Sequence, residues 1–148
     1  MSDPAHHPGG RRAFQVTLGL LAGIPFATGL MGMLVGPRTL PGDSSEVMST
    51  LDSEYRFVNA FWFSTAPILW STLPRVEKES TKLRLIMGIV FAGGLARLIS
   101  WRRTGRPHPV FLGAIAIELV GMPVMAVWQS RLAAPVRPTP RHSSAAPT

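Results

Sequence analysis

Cysteine is absent from this chain, which removes disulfides, thiolate metal sites, iron–sulfur clusters and cysteine nucleophiles together. Charge is scarce as well: 16% of the 148 residues are charged against 46% hydrophobic, so the chain is too apolar to be disordered and short enough to be one domain. The four histidines, His6, His7, His108 and His142, all lie outside the apolar runs, so none can ligate a haem within a membrane. No Gly-x-Ser-x-Gly turn, glycine-rich phosphate loop or carboxylate-rich metal site is present, and no cofactor is expected. The net charge of +7 and pI near 11.5 raise the question of nucleic acid. The basic residues, however, flank apolar runs and do not form one stripe with interleaved aromatics, so they read as juxtamembrane charges and nucleic acid is not an expected partner.

What the chain does have is long apolar runs. The mean hydropathy of +0.21 understates them, because the polar residues are concentrated in two tails and three loops. Residues 14–36 contain no charge and at about 1.5 Å per residue are long enough to cross a bilayer. Arg11-Arg12-Ala13-Phe14 before that run also resembles a twin-arginine export signal. The run is longer than a signal h-region, has no small-x-small cleavage site and is followed by further apolar segments, so it is expected to be a first membrane helix. Pro25 should free the carbonyl of Leu21, and Gly19 with Gly23 and Gly32 with Gly36 offer two spacings for close helix contact within the chain's own bundle. A loop follows from Pro37, carrying Asp43, Glu46, Asp52 and Glu54. The second run, over residues 57–74, is the weakest, diluted by Asn59, Ser64, Thr65, Ser71 and Thr72. The third and fourth cover residues 83–101 and 109–128 and are joined by the polar segment Arg102 to His108.

The expected fold is therefore all-α: a four-helix transmembrane bundle over residues 13–132, with helices at about 14–36, 55–74, 83–102 and 109–130. Tails over residues 1–12 and 133–148 are expected to be disordered. Four crossings place Arg11, Arg12, Arg75, Lys78, Lys82, Arg84, Arg131, Arg137 and Arg141 on one side, against Arg38, Arg56, Arg102, Arg103 and Arg106 on the other. The positive-inside rule then puts both termini in the cytoplasm of a multi-pass protein of the cell membrane.

Two polar groupings stand out. Arg97 and Glu118 are single charges of opposite sign in adjacent apolar segments, where an ionisable group costs roughly 2.5 to 3.5 kcal/mol at a helix centre, so they are expected to pair. Arg97 lies four residues, roughly 6 Å, inside Trp101, and Glu118 nine residues, roughly 13 Å, inside Pro109. A long arginine stem can bridge that difference or reach for the interface instead. Near the surface, Asp52 and Arg56 are four apart on one helical face, with Asn59 close to it. This reads as an amphipathic helix start in which Arg56 anchors the incoming loop, or as a cap, with Glu54, over the interior pair.

Read together, the stretch from Leu51 to Phe57 (LDSEYRF), the GLARLIS segment, the Gly105-Arg106-Pro107-His108-Pro109 loop and the glutamate in AIELVGMP resemble an uncharacterised bacterial four-helix membrane family, the domain of unknown function numbered four-three-four-five. The resemblance covers roughly residues 17–131. It implies Asp52, Glu54, Tyr55, Arg56, Arg97, Gly105, Pro107 and Glu118 as positions to watch, but no activity. Family members typically carry Gly-Leu-Gly-Arg where this chain has Gly94-Leu95-Ala96-Arg97, which implies slightly looser packing beside the arginine. The architecture also resembles the DoxX-like group, by analogy of shape alone. The expected function is a non-enzymatic membrane component that binds a partner protein or a lipid-like small molecule through Arg97 and Glu118. The alternative is a quinone-linked redox accessory or a proton-coupled carrier that uses Glu118.

Overall fold

The computed structural model describes residues 8–42 and 46–133. They form four helices: α1 (Pro8–Val35), α2 (Ser49–Thr72), α3 (Ser80–Thr104) and α4 (Pro109–Ala133). Short 3-10 turns, Pro37–Thr39 and Leu73–Arg75, follow α1 and α2. Two expected boundaries are corrected. Helix α1 starts at Pro8, so residues 8–12, expected in the tail, are helical; α2 starts at Ser49, six residues before the expected residue 55. The expected C-terminal tail lies, apart from Ala133, outside the described residues, as do residues 1–7 of the N-terminal one.

Helices α1, α3 and α4 are long and apolar enough to cross a membrane; α2 is long enough but too polar to be counted with them. The polar side chains that dilute α2 are satisfied within the helix. Asn59 donates to the Tyr55 carbonyl, Ser64 to Ala60, Thr65 to Trp62, Ser71 to Ile68 and Thr72 to Leu69, so each of these polar groups has a partner within the helix. Large apolar side chains face outward throughout: Leu20 is 73% exposed and Val124 58%. A water-soluble fold of this size does not leave so much apolar surface uncovered, whereas acyl chains are its natural solvent.

Helix α2 runs antiparallel along the whole of α1, and this is the most extensive helix contact in the protein. Its register is set by glycine. A Cβ added at Gly29 would lie 2.6 Å from the backbone nitrogen of Phe63, and one at Gly32 would collide with the Asn59 side chain. At the other end of α1, Gly19 faces only the tip of Leu73 and Gly23 faces open space. Of the two expected close-packing spacings, Gly32 with Gly36 is therefore used against α2, and Gly19 with Gly23 is not. Phe26 spans the same interface, with ring centroids 5.2 Å from Phe63 and 5.3 Å from Trp70.

Helices α3 and α4 form the second antiparallel pair. The two pairs share a single core at the end of the molecule that holds the α2–α3 connection: Phe14, Leu18, Leu69, Val76, Leu83, Met87 and Met125, with Trp128 edge-on to Phe14 at 5.4 Å. The opposite end carries the α1–α2 and α3–α4 connections.

Candidate functional site

Helix α4 is interrupted by a π turn, Ile117–Gly121, in which the Met122 N–H reaches five residues back to the Ile117 carbonyl. Pro123 lies two residues beyond the turn; it has no N–H to offer the Leu119 carbonyl, and the widened turn is where the backbone accommodates this. One consequence is where Glu118 points. It is 7% exposed and faces α3, where Gly94 lets the turn approach so closely that an added Cβ would be 2.8 Å from Leu119 and 2.9 Å from the Glu118 Cβ. Gly88 and Gly93 on the same helix have nothing within 4 Å of an added Cβ. Ala96, where the chain departs from the family pattern, is exposed, so that departure does not loosen the contact; Gly94 makes it.

The expected pair is formed. Arg97 Nε donates to Glu118 Oε1 at 3.2 Å and lies equally far, 3.2 Å, from Oε2. One N–H is thus shared side-on, aligned with Oε1, and Oε2 remains buried without a hydrogen bond. The two partners differ sharply in environment: the Glu118 side chain is 10% exposed and that of Arg97 43%. The guanidinium lies 5.4 Å from the centroid of Phe111, over its ring face, and neither Nη has an acceptor among the described residues. The pair is half open, with a buried carboxyl group inside and a guanidinium edge turned outward.

The surface grouping does something the sequence did not suggest. Arg56 Nε donates to Asp52 Oδ2 at 2.7 Å and Nη2 to Oδ1 at 3.2 Å. The remaining donors run to the end of α1: Nη1 to the carbonyls of Met33 and Leu34 at 2.7 and 3.0 Å, and Nη2 to that of Val35 at 3.3 Å. All five guanidinium N–H groups are engaged. Among the described residues Arg56 bonds to no residue of the connection itself but caps the last turn of α1, from which the connection leaves and where unpaired carbonyls and the helix dipole both favour a cation. Gly36, at φ 82°, turns the chain directly beneath it, and an added Cβ there would sit 2.5 Å from Asp52 Oδ1. Among the described residues no hydrogen bond or ion pair links this cap to Arg97 or Glu118, so the expected lid of Asp52, Glu54 and Arg56 over the interior pair is not formed. Glu54 is exposed, and Tyr55 contributes its carbonyl to Asn59. Gly105, at φ 96°, ends α3 with its N–H on the Trp101 carbonyl, and Pro107 is half-buried in the connection to α4. His108 then caps α4 by accepting from the Val110 N–H at 3.4 Å.

The hydrogen bond from Arg56 holds the Asp52 carboxyl below the usual carboxylate range. The folded protein therefore binds this proton more weakly than the unfolded chain. The resulting stabilisation is complete above the unfolded value, near about 4, and disappears as pH falls through the lower folded value. Arg56→Ala is expected to lower the melting temperature in detergent at pH 7 and to speed protease cutting of the α1–α2 connection. Arg56→Lys should not restore it, since an ammonium has three donors and no planar fork. Asp52→Asn should remove the part of the acid sensitivity seen below pH 4; equal acid sensitivity in both proteins would show that Asp52 contributes none of it.

The opposite end carries a polar group that sequence reasoning missed. Gln129 is fully buried and its Nε2 donates to the Val76 carbonyl at 3.1 Å and to Ser80 Oγ at 2.7 Å, tying α4 to the α2–α3 connection. Arg11 does the same for α1, bonding Glu77 at 3.2 Å and the Pro74 carbonyl at 2.7 Å. Glu77, held by its own backbone N–H and then by Arg11, lies below the usual carboxylate range. The available signal was a lone Gln in the apolar run before Ser130-Arg131, a residue type that rarely sits there unless it has partners. Among the described residues no group of three or more His, Asp or Glu is placed to hold a metal ion.

Fold and site together define a small all-helical protein of multi-pass membrane type, with one ion pair set between two helices at membrane depth. The model of a family described as a domain of unknown function, DUF4345, matches residues 13–129, and the chain belongs to that family. No curated protein and no solved structure matches it.

Proposed function

We propose that this protein is a non-enzymatic component of the cell membrane, with both termini cytoplasmic, that binds a lipid-like small molecule at the Arg97–Glu118 pair. The observation that carries the reading is the half-open geometry. Glu118 is buried and commits only one guanidinium N–H, and the other edge of Arg97 faces the surroundings of the bundle at membrane depth. Donors in an apolar layer need acceptors, and an amphiphile's polar group supplies them where water is scarce. A structural ion pair in the same place would be expected to turn both groups inward and use the fork fully.

The test is mass spectrometry of small molecules copurified with the wild type and with Arg97→Leu and Glu118→Gln. A species retained by the wild type and lost from both variants, each still folded by circular dichroism, is the expected result. The same small molecules on all three proteins would remove the reading, as would none on any.

The orientation is tested separately. In this cysteine-free chain, Leu40→Cys and Lys78→Cys are expected to react with a membrane-impermeant maleimide from opposite sides, Leu40→Cys from outside intact cells. Labelling of both from the same side would contradict an antiparallel return of α2 across the membrane.

A further inference from the structure

We infer that the molecule held at Arg97 is an anionic phospholipid of the surrounding bilayer, with its phosphate on the two Nη groups; this rests on the lipid-binding reading above and specifies its ligand. Three observations converge on it. The first is the chemistry of the open edge. With Nε fixed by Glu118, the Nη1 and Nη2 pair presents parallel N–H donors outward, the geometry that matches two oxygens of a phosphate. Phe111 under the guanidinium holds its plane in place.

The second observation is depth. Arg97 is four residues before Trp101, which puts its Cα about 6 Å below that interfacial ring, within reach of the headgroup layer for an arginine stem. The ligand is thereby a headgroup at the edge of the apolar layer and not a polar group at its centre.

The third is charge and what surrounds it. Arg102, Arg103 and Arg106 are exposed around the same end of the α3–α4 pair, and no acidic residue occurs in the sequence between Arg97 and Glu118. Among the described residues Arg97 is paired with one acid, Glu118, already shared side-on, and Asp52 on the other helix pair is engaged by Arg56. A choline or ethanolamine cation would meet these arginines unfavourably, while a headgroup with net negative charge gains from each. Ser100 and Thr104 lie three and seven residues beyond Arg97 on the same face of α3, their hydroxyl oxygens 3.4 Å apart and exposed. They line the path from the phosphate outward and suit a polyol headgroup such as glycerol.

The test uses full-length protein in nanodiscs of phosphatidylglycerol and phosphatidylcholine with identical acyl chains, mixed in equal amounts. Native mass spectrometry then reads which lipid is retained. The wild type is expected to retain phosphatidylglycerol over phosphatidylcholine by about tenfold, the size of one charge-assisted hydrogen-bonded contact. Arg97→Gln should abolish the preference and Arg97→Lys should reduce it. Arg131→Gln, a basic residue at the other end of the bundle, should leave it unchanged. The wild-type comparison needs no substitution, so misfolding of a variant cannot protect the inference: equal retention of the two lipids overturns it. Retention of a neutral amphiphile from cells, lost in Arg97→Gln without any phosphatidylglycerol preference, would overturn the anionic headgroup and keep the lipid-binding reading. Retention unaltered by Arg97→Gln would overturn both.

Discussion

Arg97→Leu is expected to destabilise the folded protein in detergent by about 3 kcal/mol, more than Glu118→Gln does. Removing one partner of a buried pair costs roughly 3 to 5 kcal/mol because the other is left charged without compensation. The two partners here are not equally trapped. Glu118 is 10% exposed in its side chain and has no second donor, so deleting the arginine leaves a buried carboxyl with no donor, which must either stay charged without compensation or take up a proton. Arg97 is 43% exposed and can turn to the interface when its partner is neutral, and glutamine keeps an oxygen for Nε, so Glu118→Gln should cost only about 1 kcal/mol. The lower end of the range is chosen for Arg97→Leu because a half-open site admits headgroups and water. The double variant should lose less than the sum of the single losses, by on the order of 1 to 2 kcal/mol. Thermal melts of the four proteins in one detergent measure this. A greater loss in Glu118→Gln would show that Arg97 cannot reach the interface, and strictly additive losses would mean that the two side chains do not interact.

Gly29→Ala and Gly23→Ala should move stability in opposite directions although they stand six residues apart in one helix. A methyl at Gly29 would lie 2.6 Å from the Phe63 nitrogen and 2.8 Å from its Cα, both backbone atoms, so no side-chain rotation relieves the clash and α1 must move away from α2. Overpacking of this kind costs about 1 to 3 kcal/mol, and parting the most extensive helix contact in the molecule places it at the upper end. At Gly23 nothing lies within 4 Å of the new methyl, so only the helix preference of alanine remains, a gain of up to about 1 kcal/mol. The same melts decide it. Equal effects at the two positions would mean that α2 does not lie against α1 along the glycine face.

The polar pair shows how far the candidate site was legible. One positive and one negative charge in adjacent apolar segments have few ways to be accommodated other than with each other, so Arg97 and Glu118 could be matched without coordinates. That the arginine would give only Nε, and that Glu118 would sit in a π turn, depended on Pro123 and Gly94 acting together on different helices. The Arg56 cap was half legible. The four-residue spacing to Asp52 marked the pair, but its other three acceptors are carbonyls more than twenty residues earlier, and backbone carbonyls carry no sequence signature.

The boundaries that moved have the same cause. Residues 8–12 read as tail because Pro8, Gly9 and Gly10 are poor helix formers, yet α1 extends through them, with Arg11 held by Glu77 and the Pro74 carbonyl of another segment. Segment number, helical type and membrane character followed from the sequence itself, since they express how each residue partitions between water and an apolar layer, and that is a property of single residues summed along a run. Which glycines are contacts, which polar groups are caps and which edge of Arg97 is open are properties of pairs. They depend on the rotation and register of one helix against another, and only the tertiary structure decides those.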